Sequence, residues 1–326
     1  MLTIRQEHSA PTEIDVGRNV EVLTFTANGE YLVTGEEEVR VWRVKDGKQV
    51  ARMETQRPVV SLAASKNGKW IATGTLRELL VWNAETYEKV IKHWEGNFIR
   101  GVDFSPDSTQ LVAGTDNKAA TIWDLATGKQ VQTLRHRLYV KAAKYSLEGD
   151  RIATATDESV RVWDSNDGCL LVDIKVTATP WFNTSLLWSN DHLFVVSNEK
   201  IKEFDASTCS KVSERPVPNT NWYSCVALPK HERLIAFSAK RIVTFWDPST
   251  HNQLALTLQH PEDIRSIAFS PDDRILAIGG GGKITIQSLS GINVSGAFCR
   301  AISSPDSFLA SAFSPYISPA SYFSRT

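Results

Sequence analysis

The sequence has 326 residues, of which 42% are hydrophobic and 22% are charged, a composition typical of a folded globular protein. Lysine and arginine number 36 against 37 aspartate and glutamate, so the net charge of −1 argues against nucleic-acid or membrane binding driven by overall charge. The four cysteines form no CxxC pair, and no apolar run is long enough to cross a bilayer. We therefore predict a reduced, cytoplasmic protein, with the nucleus as the alternative location and no membrane partner.

One phrase recurs along most of the sequence: a β-branched and aromatic run that ends in a tryptophan and is followed by a turn. The anchor residue returns every 40 to 42 residues, at Trp42, Trp82, Trp123, Trp163, Phe204, Trp246 and Gln287. A period held over six intervals indicates a repeat architecture. A period near forty with four short strand patterns per repeat is typical of propeller blades, and the anchor aromatics are predicted to fill the gaps between neighbouring blades.

The predicted elements follow in chain order as seven blades, each of four antiparallel strands. Their strand patterns span Val20–Met53, Val59–Lys92, Ile99–Leu134, Val140–Ile174, Thr184–Ser213, Tyr223–Leu258 and Ile264–Leu289.

Blade seven has no obvious outer strand, and two segments compete for that place. Leu2–His8 alternates apolar and polar residues and is favoured, because a strand from before blade one would close the ring. Ile292–Phe298 is the alternative, and residues 9–18 are predicted to be a linker. Residues 1–290 are thus predicted to form the propeller. Residues 291–326, rich in Ser, Ala, Phe and Pro, are predicted to be a poorly ordered tail or a degenerate partial repeat.

These repeats resemble the WD40 repeat family over roughly residues 2–290. The Trp-Asp pair of that family stands in three blades, beginning at Trp123, Trp163 and Trp246, and Ser-Pro-Asp turns begin at Ser105 and Ser270. The diverged repeats look similar to WD40 proteins of filamentous fungi. The resemblance implies an all-β, seven-bladed propeller that is closed between an N-terminal strand and blade seven.

The resemblance also implies a buried network of a histidine, a threonine or serine, an aspartate and the tryptophan. Only blade four matches all four positions, with His136, Thr154, Asp157 and Trp163. His136 and Asp157 could alternatively suggest a catalytic dyad, but the resemblance implies a structural hydrogen bond.

The candidate binding residues lie at what we call the lead-in position, the residue directly before the inner strand of each blade. This position holds Asn19, Pro58, Phe98, Tyr139, Phe182, Trp222 and Asp263, so four successive blades present an aromatic. Two residues further on stand Arg100 and Lys141. We predict a protein-binding surface of Phe98, Arg100, Tyr139 and Lys141, with Phe182 and Trp222 on the next two blades, because aromatics and arginine dominate interface hot spots. The alternative is that the rings pack into the central channel or under loops.

No converging catalytic motif is visible: the sequence has no HxH, HExxH or GxSxG, and no Asp-rich calcium loop. We therefore predict a non-enzymatic interaction scaffold without a cofactor, monomeric or part of a larger complex, that docks peptides or proteins on its loop face. The aromatic and basic residues favour an acidic or phosphorylated segment. The alternatives are RNA binding through the same surface, which the neutral net charge disfavours, and a propeller enzyme with a site in the central channel.

Overall fold

The computed structural model describes residues 11–94, 96–176, 185–190, 192–197, 200–216, 225–229, 234–248 and 252–289. These residues form 28 β-strands in seven four-stranded antiparallel sheets, and no helix occurs among them. The inner strands of successive sheets contact one another in a complete circle, because the first also contacts the last. The predicted seven-bladed, all-β propeller is therefore confirmed.

The strands of the first four blades run from the inner strand outward. Blade one comprises β2 (Val22–Phe25), β3 (Tyr31–Gly35), β4 (Val39–Arg43) and β5 (Gln49–Met53). Blade two comprises β6 (Val59–Ala64), β7 (Trp70–Thr75), β8 (Glu78–Asn83) and β9 (Lys89–Trp94). Blade three comprises β10 (Ile99–Phe104), β11 (Gln110–Thr115), β12 (Ala119–Asp124) and β13 (Lys129–Arg135). Blade four comprises β14 (Ala142–Tyr145), β15 (Arg151–Ala155), β16 (Ser159–Asp164) and β17 (Leu170–Lys175).

The remaining three blades follow the same order, except that the outer strand of blade seven precedes blade one in the chain. Blade five comprises β18 (Ser185–Trp188), β19 (His192–Ser197), β20 (Lys200–Asp205) and β21 (Lys211–Pro216). Blade six comprises β22 (Cys225–Ala227), β23 (Ile235–Ala239), β24 (Ile242–Trp246) and β25 (Gln253–Gln259). Blade seven comprises β26 (Ser266–Phe269), β27 (Ile275–Gly280), β28 (Lys283–Ser288) and, outermost, β1 (Thr12–Asp15).

The hydrophobic core of the described residues is divided into seven clusters, and each cluster joins two neighbouring blades. The anchor aromatic packs against the preceding blade, as Trp123 does on the apolar residues of β7 and β8. The middle strands are buried on both faces between blades, which explains their nearly continuous apolar runs. The outer strands face solvent and leave residues such as Val131 exposed. The repeated tryptophans therefore hold neighbouring blades together.

Five of the anchor tryptophans donate their indole N–H to a threonine hydroxyl at 2.7–3.3 Å: Trp42 to Thr34, Trp82 to Thr73, Trp123 to Thr121, Trp163 to Thr154 and Trp246 to Thr244. In blades one, two and four the threonine lies on the second strand. In blades three and six the threonine lies on the third strand, at the residue that pairs with this second-strand position across the sheet. In blade seven, where Gln287 replaces the tryptophan, the Thr285 hydroxyl is buried without a hydrogen-bond partner. Each of these five indole N–H groups thus has a threonine hydroxyl as its acceptor, and that threonine lies on either the second or the third strand of the blade.

The ring closes through β1, which pairs with β28 and places Ile14 opposite Ile284. The Val16 N–H also donates to the Gly282 carbonyl at 2.8 Å, and Gly282 has a φ of +91°, which L side chains rarely adopt. Closure by an N-terminal strand agrees with the prediction, but assigning residues 9–18 to a linker was wrong, because the closing strand lies within them. The two competing segments, Leu2–His8 and Ile292–Phe298, and the predicted tail 291–326 all lie outside the described residues.

Candidate protein-binding face

Two aromatic side chains at the lead-in positions of blades three and four are open to solvent. Phe98 is 39% exposed and Tyr139 is 49% exposed. The residues that follow them, Ile99 and Val140, are fully buried in the contacts between blades. The buried side chains of Ile99 and Val140 hold the backbone in place, while the aromatic side chain before each of them lies outside the core. Neither ring is therefore buried in the core between blades.

The two cations that follow these aromatics are each neutralised by an aspartate. Arg100 Nη2 lies 2.9 Å from Asp116 Oδ2, and this hydrogen-bonded pair raises the pKa of the arginine. Lys141 pairs in the same way with Asp157, and only 11% of the lysine side chain is exposed. Both aspartates lie in the turn between the second and third strands of the same blade. The predicted basic surface therefore carries no net charge at these four groups.

Phe98 is held in a fixed setting by its neighbours. The Arg100 guanidinium lies over the ring at 5.1 Å from the centroid, and the Asp116 N–H donates to the Phe98 carbonyl at 3.0 Å. A cation stacked on an aromatic face restricts the ring. The surface at blade three is thus prearranged, which lowers the entropy lost when a partner binds.

The other lead-in positions do not extend this surface within the described residues. Phe182 and Trp222, predicted to continue it on blades five and six, lie outside them. On blade seven, Asp263 pairs with Arg241 at 3.4 Å. Phe98 and Arg100 therefore lie on blade three, and Tyr139 and Lys141 lie at the start of blade four, with each cation in an ion pair of its own blade.

In blade four, three of the four residues of the predicted buried network are joined. Trp163 Nε1 donates to Thr154 Oγ1 at 2.7 Å, and His136 Nε2 lies 3.0 Å from the same oxygen. Asp157 was predicted to complete the network but is paired with Lys141 instead. His136 Nδ1 is left buried and without a hydrogen-bond partner. Burial lowers the pKa of His136 to about 4, so the ring is neutral at pH 7.

Beside His136 lies a cavity of about 130 Å³ that the sequence did not suggest. It is lined by His136, Arg137, Leu138, Thr156, Glu158, Ser159, Arg161, Asp173 and Lys175. The repeats gave no signal for it, because the position of Arg161 is also a cation in blades one and five, at Arg40 and Lys202.

Within the part of the chain that the structure describes, no three His, Cys, Asp or Glu residues are grouped as metal ligands. The same residues contain no helix with the length and apolar character of a membrane span.

Seven four-stranded antiparallel blades that contact one another in a closed ring define a β-propeller. Residues 86–124, 128–164 and 252–286 match the family model described as WD domain, G-beta repeat. Together with the relatives below, these matched repeats make the chain similar to the WD40 repeat family and support its place among WD40-repeat proteins.

Curated relatives are 25% to 29% identical to this chain over the aligned segments. Serine-threonine kinase receptor-associated protein of Gallus gallus is 25% identical over 61% of this chain and 57% of its own length. Periodic tryptophan protein 2 of Arabidopsis thaliana is 25% identical over 65% of this chain and 25% of its own length. Apoptotic protease-activating factor 1 of Rattus norvegicus is 29% identical over 47% of this chain and 13% of its own length. The chain therefore spans between about an eighth and just over half of the length of these relatives.

Proposed function

We propose that this protein is a non-enzymatic scaffold that docks a peptide or protein segment on the loop face of blades three and four. The observation that carries the proposal is the pair of exposed rings, Phe98 and Tyr139, on adjacent blades above fully buried neighbours. Aromatic side chains bury much area at small entropy cost and act as interface anchors. Similarity to the WD40 family supports a role in protein interaction, and the name of the Gallus gallus relative states association with a receptor.

The chemistry of the docking surface favours apolar contacts at the two rings. The Arg100–Asp116 and Lys141–Asp157 pairs leave these four groups without net charge. A partner is therefore expected to place an apolar or aromatic side chain against Phe98 and Tyr139. Acidic groups of the partner would have to meet other cations. The protein acts in this proposal as a monomer or as part of a larger complex, and the cytoplasmic location stays a prediction.

The test compares three forms of the protein in affinity capture with mass spectrometry. The first is wild type, and the second carries Phe98→Ser and Tyr139→Ser. The third is a matched control with Val90→Ser and Val131→Ser, because these valines are also about half exposed but lie on outer strands. A partner is expected with wild type and control and is expected to be lost from the double aromatic variant.

The captured partner is then purified and its affinity is measured by calorimetry. Loss of two anchors is expected to weaken binding by at least about a hundredfold, since each hot-spot residue contributes about 2 kcal/mol. Equal affinity for wild type and the aromatic variant would refute the docking surface. Capture that disappears after ribonuclease treatment would point to RNA stacked on the same rings instead.

A further inference from the structure

The cavity beside His136 combines residues from three parts of blade four. Residues 136–138 lead into the blade, and Thr156 and Glu158 lie in the turn between β15 and β16. Ser159 and Arg161 come from β16, and Asp173 and Lys175 come from β17. Leu138 lines the cavity and is followed directly by the exposed Tyr139. The cavity is thus next in sequence to the proposed docking surface.

His136 lines this cavity and carries a buried ring nitrogen, Nδ1, without a hydrogen-bond partner. The Thr154 hydroxyl accepts from Trp163 and has one proton of its own to donate. His136 Nε2, at 3.0 Å, is a nearer acceptor than the Arg161 carbonyl, at 3.4 Å. With the hydroxyl proton directed to Nε2, the neutral ring carries its own proton on Nδ1. That buried N–H has no acceptor, because Asp157 is paired with Lys141.

The charges around the cavity leave an excess of one cation. Arg137, Arg161 and Lys175 are opposed by Glu158 and Asp173. Asp173 already pairs with Arg161 at 3.2 Å and with Lys175 at 3.4 Å. Arg137 is exposed and forms no ion pair with any described residue. One guanidinium and one buried N–H are therefore available to a ligand that brings acceptor oxygens.

We propose that this cavity binds a side-chain carboxylate from the docked segment. The proposal deepens the scaffold function and rests on it. A single negative charge balances the excess cation, and the two oxygens of a carboxylate can accept from the Arg137 fork and from His136 Nδ1. A phosphate monoester carries about −1.5 to −2 charges and would leave uncompensated negative charge beside Glu158. The partner of this protein is thus an acidic segment whose neighbouring apolar residue contacts Tyr139.

The test follows the ring nitrogens of His136 by NMR on protein labelled with ¹⁵N-histidine. N-acetylglutamate amide, which presents one side-chain carboxylate, is titrated at constant ionic strength. Its glutamine counterpart and inorganic phosphate are titrated in parallel. His136→Asn identifies the His136 signals. A saturable shift of the Nδ1 signal is expected with the glutamate probe, no saturable shift with the glutamine probe, and weaker binding of phosphate.

Two charge variants report whether Arg137 takes part. Arg137→Ala is expected to weaken binding of the glutamate probe by roughly tenfold, as for loss of a charge-assisted hydrogen bond. Arg135→Ala removes the same charge from an exposed residue two positions away and outside the cavity, so it is expected to leave the affinity unchanged. Equal affinities for these two variants would refute the role of Arg137, and tighter binding of phosphate would refute the carboxylate.

Two further results separate this inference from the scaffold proposal. The variant Asp157→Asn tests whether the His136 Nδ1–H already donates to the Asp157 carboxylate in the free protein. If this change shifts the Nδ1 signal as loss of such a hydrogen bond would, the donor is not available to a ligand and the inference fails. Phe98→Ser with Tyr139→Ser should leave carboxylate binding intact, since neither ring lines the cavity. Partner capture that depends on those rings, without any carboxylate binding, would overturn the inference and leave the scaffold standing. Carboxylate binding without ring-dependent capture would refute the docking surface, and with it the docked segment as the source of the carboxylate, but would leave the carboxylate site itself standing.

Discussion

The substitution Glu36→Gln should stabilise the protein at alkaline pH. Glu36 lies in the turn between β3 and β4 and is 2% exposed. Thr34 Oγ1 donates to its Oε1 at 3.4 Å, Arg40 Nη1 stands 4.0 Å away, and Oε2 has no hydrogen-bond partner. Burial raises the pKa of Glu36 to about 7, and the nearby Arg40 only partly opposes this effect. The folded protein therefore contains a carboxylate that is costly to ionise.

The sign of the effect follows from proton linkage. Between about pH 4.5 and about pH 7 the folded state holds this proton more tightly than the unfolded chain, so the free energy of unfolding falls as pH rises. A difference of about 2.5 pKa units corresponds to about 3 kcal/mol at full effect. Allowing for screening by solvent around the turn, we expect Glu36→Gln to gain about 2 kcal/mol at pH 8 and less than about 1 kcal/mol at pH 5.

The assay is urea unfolding followed by tryptophan fluorescence at pH 5 and pH 8. A gain of about 2 kcal/mol should move the midpoint by roughly 0.7 M if the urea dependence is about 3 kcal/mol per M. Glu38→Gln is the matched control. Burial alone would raise the pKa of Glu38, but hydrogen bonds from Arg40 and Arg52 lower it overall, so this change should destabilise the protein at pH 8. A Glu36→Gln gain that is absent at pH 8, or equal at both pH values, would refute the reasoning.

Two further predictions concern the hydroxyl beneath the indole and the closing strand. Thr121→Val should cost about 1–3 kcal/mol because it leaves the buried Trp123 N–H without an acceptor, whereas the same change at Thr285 should be neutral or stabilising, since that hydroxyl has no partner. Equal costs in urea unfolding would contradict this account. Ile14→Ala should cost about 2–5 kcal/mol because Ile14 is buried in the apolar cluster that joins blades seven and one. Glu13→Ala on the exposed face of the same strand should change stability by less than about 0.5 kcal/mol, and a similar loss at both positions would count against closure through Ile14.

The seven blades were predictable because six of the seven repeats place one large aromatic against the preceding blade, and this packing leaves a period in the sequence. The closing strand was not predictable in the same way. Thr12–Asp15 has four residues and buries only Ile14 among them, so its alternation is weaker than that of Leu2–His8. Its position is decided by pairing with β28 at the other side of the ring, a non-local contact that leaves little local pattern.

The lead-in aromatics were predictable by aligning the repeats, but the ion pairs beside them were not recognised. Asp116 follows Arg100 by 16 residues, and Asp157 follows Lys141 by the same spacing, because both pairs join an inner strand to the turn of its own blade. That repeated spacing was a usable signal. Family resemblance instead assigned Asp157 to His136, and whether a carboxylate turns to a lysine or to a histidine depends on side-chain geometry that a motif does not contain.

The pairing of β1 with β28 also bears on how the chain folds while it is synthesised. The two strands stand about 270 residues apart, so at 5–20 residues per second β1 waits roughly a quarter of a minute to a minute for its partner to leave the ribosome. During that time blade one has no preceding blade to cover the apolar side of β2 and β3. Chaperone capture of nascent chains, which depends on such uncovered surface, should therefore be strongest before residue 288 emerges and should fall once β28 can pair.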